Sequence, residues 1–418
     1  MTNSAHPDRT AAGSGVTEAE LDRLRSAVDD GLPTYLAELE RYVNTDCGSY
    51  TRAGVDTIGR WAGSAFEQLG ARVEYRHDPD GRFGDTVVAT WERGPADGPS
   101  VLLIGHLDTV FDEGTAAARP FRIENGIATG PGVTDMKAGL LAGIHAIGAL
   151  RSLGPLPFSR LVFVANPDEE VGSPTSTPHI RAAAAEADAC LVLECARANG
   201  DIVSARKGTV DLGITVRGVA AHAGVEPEKG RSAILEAARI VRDLHALNGR
   251  WDGVTVNAGV ISGGSRPNVV AEACRIEADV RGRTAAELAT AEEAVRSLAA
   301  ATTVPDTTVD VDWRPNFPPM EKRPASGRVV DHALALAGRL GFSLRDTSTG
   351  GASDASTVSG MGVPTLDGLG PIGGMDHSPR EYLEVDSVGP RTTLLAALLL
   401  AIARDGGLGG REVTDPPE

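Results

Sequence analysis

Val101-Leu102-Leu103-Ile104-Gly105-His106-Leu107-Asp108-Thr109-Val110 opens as a continuous apolar run and closes on an imidazole and a carboxylate. An apolar run without alternation suits a strand covered on both faces. Polar groups delivered to its C-terminal end stand where open α/β sheets place their sites. Side chains alternate along an extended chain, so His106 and Asp108 can face the same way. Asp108 can then hold one imidazole nitrogen while the other meets a metal. A plain polar loop after a strand is the competing reading.

Similar short runs lie at Val87–Thr90, Leu161–Ala165 and Ala189–Leu193, interleaved with helical patterns at 17–45, 52–69, 136–152 and 178–186. This alternation predicts a largely parallel sheet with helices on both faces. Thr17 and Glu20 make a capping box for the first helix. The same texture returns in a helix at 328–340, a helix start near Ala352 and a long apolar helix at 387–404. The middle of the chain differs. Val210–Val216, Thr255–Ile261, Glu272–Val280 and Thr308–Asp312 alternate like half-buried strands, separated by helices at 230–247 and 284–299. Strand, helix, strand, strand, helix, strand is the split βαβ order of a small two-layer domain. The expected organisation is a first domain over 17–209 and 323–407, interrupted by an inserted α+β domain at 210–322, with hinges near Gly208 and Pro315–Pro324. The first sixteen residues and the run 406–418 read as loose ends.

Four further runs carry acids or histidine. Asp135, in Gly130-Pro131-Gly132-Val133-Thr134-Asp135-Met136-Lys137, is either a helix N-cap or a carboxylate able to bridge two metals. Asp168-Glu169-Glu170 follows an apolar strand; it is either a solvated charge run or a metal ligand beside a base that takes a proton from water. Glu194 ends the apolar run Cys190-Leu191-Val192-Leu193, and His377 stands in the glycine-rich Gly373-Gly374-Met375-Asp376-His377-Ser378. Each run alone is ambiguous. Five separate segments ending in ligand-type residues, in a chain with 9 histidines, favour the metal reading. The surplus of acids suits zinc and accommodates manganese or cobalt.

The chain has 418 residues, enough for two or three cores. Its 40 basic and 57 acidic residues give a net charge of -17, which opposes long-range attraction to nucleic acid or an anionic membrane. An apolar run of membrane-spanning length is not expected, nor is a secretion signal. Cys47, Cys190, Cys195 and Cys274 are too few for a disulfide scaffold and lack close metal-binding spacing, so a reducing cytoplasm is the expected location.

Together these runs resemble the M20 family of metallopeptidases and amidohydrolases. The likeness lies in His106-Leu107-Asp108, the run Gly130 to Lys137, Asp168-Glu169-Glu170, Glu194, Ala221-His222-Ala223-Gly224 and His377. Pro120-Phe121, Asp279-Val280-Arg281, Gly350-Gly351-Ala352-Ser353-Asp354-Ala355 and Gly368-Leu369-Gly370 resemble its glutamate carboxypeptidase branch, the carboxypeptidase G2-like enzymes. The resemblance implies an αβα sandwich catalytic domain with an inserted lid that makes a homodimer, and two Zn2+ per subunit, with Co2+ or Mn2+ as alternatives. His106 and Glu194 would complete one metal site, Glu170 and His377 the other, and Asp135 would bridge them. Asp108 would orient His106, and Glu169 would be the general base and acid. His222 would reach across the dimer to stabilise the oxyanion.

Arg281 and Asn268 resemble lid residues that grip a substrate carboxylate, and Arg314 is a weaker candidate; each arginine can instead form a surface salt bridge. Gly350, Gly351 and Ser353 could cradle a carboxylate, with a simple N-cap the other reading of Ser353. Lys207 could approach an acidic side chain. The chain departs from the glutamate-selective relatives at Ser356 and Thr357, small hydroxyl residues where those carry a larger aromatic shortly after the Asp. The implied reaction is release of a C-terminal amino acid, glutamate among the candidates, from a small peptide or N-acyl amino acid. N-acetyl or N-succinyl deacylation and dipeptide hydrolysis are the alternatives within the family, and a non-catalytic small-molecule binder is the remote one.

Overall fold

A computed structural model describes residues 15–92 and 94–405. The expected loose ends therefore fall, apart from residues 15 and 16, outside the described residues. The chain divides into two compact units. One comprises Met1–Ser204, Lys322–Thr347 and Met361–Glu418, the other Ala205–Glu321 and Ser348–Gly360. The short segment Ser348–Gly360 thus groups with the second unit, although the sequence reading kept all of 323–407 with the first. Hydrogen bonds explain the difference: Lys207 N–H donates to Thr349 O, Arg281 to Gly350 O and Arg206 to Gly351 O.

The first unit is built on a six-stranded sheet in the order Arg72–Arg76, Thr86–Trp91, Arg160–Asn166, Ser100–His106, Ala189–Val192 and Thr365–Leu366. The last four strands are parallel to one another, and the first two are antiparallel additions. Register brings the site together. His106 pairs with Asn166, and Ile104 with Val192, so Asp168–Glu170 and Glu194 leave neighbouring strands at the same edge as His106.

Helices Glu18–Val43, Ala138–Leu153 and Val388–Arg404 supply much of this unit's apolar core. The capping box is present: Thr17 accepts from Glu20 N–H, and the Glu20 carboxylate accepts from Thr17 N–H. Segment Val385–Arg404 is long and apolar enough to cross a bilayer, yet 83% of its apolar window is buried within the protein. Gly139 lets helix Ala138–Leu153 lie against the end of the Glu194 strand, because a Cβ there would stand 1.8 Å from Leu193 O. Any side chain at 139 would push the helix off the sheet.

The second unit has a four-stranded antiparallel sheet in the order Thr255–Gly263, Ala273–Gly282, Gly208–Arg217 and Thr308–Phe317. Ala273–Gly282 alternates exposed and buried positions along its first six residues, as a strand with one covered face should. Helices Ala233–His245 and Ala285–Ala300 cover that face through Ala237, Ile240, Leu244, Ala291 and Val295.

Candidate metal centre

The strand Ser100–His106 ends with its imidazole almost fully buried. Its Nδ1 lies 3.0 Å from the backbone carbonyl of Asp108 and 3.4 Å from that residue's Oδ1. Nδ1–H therefore donates chiefly to the carbonyl. Nε2 is left facing Asp135 Oδ1 at 3.1 Å and Glu194 Oε1 at 3.7 Å. On the other side of Asp135, His377 Nε2 lies 3.3 Å from Asp135 Oδ2 and 3.0 Å from Glu170 Oε2. Two three-residue groups result, His106–Asp135–Glu194 and Asp135–Glu170–His377, each with its ligand atoms within 4.8 Å of one another. They share one carboxylate, one oxygen facing each imidazole.

Asp108 does more than touch the imidazole. Its buried carboxylate accepts from Ser49 Oγ at 2.6 Å and from the N–H groups of Glu169 and Glu170 at 3.2 Å each. It thereby pins the tight turn Glu169–Val171, on which Glu169 and Glu170 are partly buried. Asp168, fully buried, is a structural acid: its oxygens accept from Thr175 and Ser176 in the following turn.

The charges favour cations. Burial pushes Asp135 up, but hydrogen bonds from His106 and His377 outweigh it and hold the carboxyl well below its usual range. Hydrogen bonds to Asp135 and Glu170 push His377 up to about 10. Burial opposes charge on His106, yet Glu194, Asp108 and Asp135 raise it well above the ordinary imidazole value. Burial also raises Glu170, against its bond with His377. The two imidazoles thus hold protons between carboxylates, positions a divalent cation competes for. Among the described residues Glu170 Oε1 is buried with no hydrogen-bond partner, which suits an oxygen that ligates a cation. Two imidazole nitrogens and three carboxylates fit a dinuclear centre of borderline divalent ions.

The remaining candidates lie in the second unit. His222 is on an exposed loop and its Nδ1 accepts from Gly224 N–H at 3.1 Å, which assigns the proton to Nε2. Asn268 is exposed beside it, its carbonyl accepting from Ala223 N–H. Arg281 donates to Asp279 Oδ1 at 2.8 Å and to Gly350 O at 2.7 Å. Lys207 is half-buried, and its backbone N–H pairs with Thr349. Gly350 and Gly351 turn their carbonyls to Arg281 and Arg206. Ser353 is buried and accepts from Ala355 N–H, the N-cap arrangement. Arg314 forms an exposed ion pair with Asp312.

Sequence reasoning missed three residues. Ser49 carries no motif signal. Arg206 is read past beside Lys207, yet its buried side chain reaches Gly351. Glu381, almost fully buried, accepts from the N–H groups of Gly132, Thr134 and Asp135 at 2.9, 2.9 and 3.1 Å. Burial raises its carboxyl to about 7 against those three bonds. An acid at the end of a polar loop looks solvated in sequence, and only the fold reveals its donors.

Comparison with known proteins agrees with this geometry. The sequence profile of peptidase family M20/M25/M40 matches residues 102–401. Carboxypeptidase G2 of Pseudomonas sp. (strain RS-16) is 28% identical over 393 residues, 93% of this chain and 94% of the relative. A succinyl-diaminopimelate desuccinylase of Dechloromonas aromatica is 27% identical over 320 residues, 72% of this chain and 83% of its own length. Among solved structures, aminopeptidase PepT from Bacillus cereus superposes with a TM-score of 0.74 at 24% identity, covering 89% of this chain and 99% of that one. The Bacillus subtilis YXEP protein, described as a dinuclear metal-binding peptidase, superposes at 0.67 and 15% identity, over 90% and 99% of the two chains.

Proposed function

This chain belongs to peptidase family M20/M25/M40 and is a metallohydrolase of it, and from that premise we propose that it cleaves the amide bond preceding a free-carboxylate amino acid, in a small peptide or N-acyl amino acid. The observation that carries the reading is the shared Asp135 between two ligand groups, next to a turn that presents Glu169 beside Glu170. Zinc suits the donor set, with cobalt or manganese as substitutes. Two such ions held by His106, Asp135, Glu194, Glu170 and His377 would polarise the scissile carbonyl and acidify water.

Glu169 takes the proton from the attacking water and returns it to the leaving amine. His222, with Nε2–H free to donate, stabilises the oxyanion from the lid of a second copy. Dimerisation through the lid is supported by the edge strand Thr255–Gly263, where Val260 and Ile261 are exposed, and by exposed Ile234 and Leu235 on helix Ala233–His245. Arg281 binds the substrate carboxylate, with Asn268 as a second contact. Lys207, between strands Ile202–Arg206 and Gly208–Arg217, donates its N–H to Thr349 O close to the Gly350 carbonyl that Arg281 reaches, and its ammonium suits an acidic side chain, which favours glutamate or aspartate as the released residue. Removal of an N-acetyl or N-succinyl group from an amino acid uses the same chemistry. The desuccinylase and acetylornithine deacetylase among the relatives keep that second reading in view.

A panel of N-acyl glutamates, N-acyl aspartates and dipeptides, incubated with zinc-loaded protein and read by mass spectrometry, tests the proposal. The expected result is free amino acid from the acidic members, and a Glu169→Gln variant that keeps both ions while turnover falls about 10²–10⁴-fold. Wild-type turnover in that variant, or a silent panel with two ions bound, would overturn it.

A further inference from the structure

We infer that Glu381 is a positioning residue that sets the gap between the two loops of the metal centre, and so governs the affinity of the ion held by Asp135, Glu170 and His377. This rests on the dinuclear reading of the site, and on no assumption about substrate. Glu381 Oε2 accepts from Gly132 N–H, and Oε1 accepts from Thr134 and Asp135 N–H, so a single carboxylate fixes the loop that carries the shared ligand. Among the described residues its donors are backbone N–H groups alone.

The other end of the linkage is local. Glu381 N–H donates to Ser378 O, Ser378 Oγ donates to Met375 O, and Arg380 N–H donates to Ser378 Oγ. The segment 375–381 is therefore a turn held largely by its own bonds, with outer contacts from Arg119 to Ser378 O and from Cys195 Sγ to Asp376, and it closes the hairpin of Gly373–Gly374 with Tyr382–Glu384. Met375 and His377 take φ values of 60° and 57° in that turn. Side chains disfavour that left-handed conformation, so surrounding bonds must retain these residues there. The hairpin also lies close to the Asp135 loop: a Cβ on Gly373 would stand 2.1 Å from Thr134 Oγ1.

The two ion positions differ in their dependence on this linkage. His106 ends one strand and Glu194 lies two residues beyond the end of its parallel neighbour, and the sheet fixes their spacing. His377 comes from the turn, and reaches Asp135 only if the turn and the Gly132–Asp135 loop stay in register. Replacing Glu381 by Gln puts an amide N–H₂ against at least one backbone N–H and separates them. Replacing it by Asp keeps the charge but shortens the reach by one methylene.

The test is titration of the metal-free protein and its Glu381→Gln and Glu381→Asp variants with Co(II), following visible absorption and the magnetic coupling of the ion pair. The expected result is a first ion weakened far less than the second, a second bound about 10–100-fold more weakly, and a coupling signal that appears only at high cobalt. Four results would overturn the inference: both ions bound as in wild type, both weakened equally, wild-type protein binding a single ion, or neither variant folding. The last would make Glu381 a requirement of the fold. Because no substrate enters the experiment, failure of the proposed amide hydrolysis with normal two-ion binding leaves the inference standing.

Discussion

Glu381 in the first unit and Glu236 in the second are both buried carboxylates that collect backbone N–H groups from a distant loop. Glu236 Oε2 accepts from Thr303 N, Thr303 Oγ1 and Val304 N, all at 2.9 Å. Their surroundings differ in charge. Glu236 also meets Arg239 at 2.7 Å, and although burial pushes its carboxyl up, the loop and that cation bring it below its ordinary value. Glu381 is raised to about 7 by burial, against its three backbone bonds, and has the Asp135 carboxylate adding to the rise where Glu236 has a cation. The same backbone device thus serves two ends. Beside a cation it ties a helix to a loop; beside ligand carboxylates it holds an anionic site together until cations complete it.

The sharpest way to break this contrast is Asp135→Asn. An amide cannot offer anionic oxygens to both imidazoles, so the variant is expected to lose both ions and all measurable turnover, checked by metal analysis and the substrate panel. Glu236→Gln should leave metal content and turnover untouched. Chelation of wild-type protein is the next test. Hydrogen exchange should quicken in 130–137 and 372–381, whose N–H groups lie on the loops of the centre. Strands Gly208–Arg217 and Ala273–Gly282 should keep their protection. Uniform loss of protection across both units would show that the metal centre supports the whole chain.

Much of this arrangement was legible in the sequence, and the reason is periodicity. Apolar runs such as Leu161–Ala165 specify buried strands, and a chemical residue at a strand's end inherits its position from sheet register. His106 and Glu194 were readable as candidate ligands on that account, whereas Glu170 rather than Glu169 as the ligand rested on the family resemblance. His377 was visible as one histidine on a glycine-rich loop, and its place beside Asp135 was expected from the family resemblance alone, because the turn that aims it is made by Ser378 and Glu381, which carry no pattern. The grouping of Ser348–Gly360 with the second unit was hidden for a related reason. Backbone bonds from Lys207, Arg206 and Arg281 decide it, and composition does not record them. The cis peptide between Asp135 and Met136 likewise has no sequence signature in a non-proline pair.

The two arginines of the second unit offer a finer test. Arg281 has a partly exposed side chain and donates to Asp279 and Gly350, leaving a charged fork that a carboxylate can engage. Arg281→Lys loses the planar bidentate geometry, and a charge-assisted bond contributes about 1.5–3 kcal/mol. KM for an acidic N-acyl substrate is expected to rise about 10–100-fold with kcat little changed, measured by steady-state kinetics. Arg314→Ala removes only an exposed pair with Asp312 and should leave both constants near wild type. Equal effects at the two positions would remove the distinction drawn between them.

Glu236 allows the smallest and most local measurement. Its folded value lies below the ordinary 4.5, so the folded state binds protons less readily than the unfolded one. Its contribution to stability is therefore complete above pH 4.5 and is lost as pH falls through the lower folded value. In Glu236→Gln the carbonyl can keep the Thr303 and Val304 donors only by turning an amide N–H₂ toward Arg239. The expected cost is about 1.5–3 kcal/mol at neutral pH, measured by denaturant unfolding that follows a tryptophan of the second unit, such as Trp251 or Trp313. As pH is lowered, the gap between variant and wild type should narrow, because the protonated wild-type carboxyl also loses its bond to Arg239. A gap that stays constant down to pH 3 would mean that the ion pair contributes nothing and that the loop contacts alone fix Glu236.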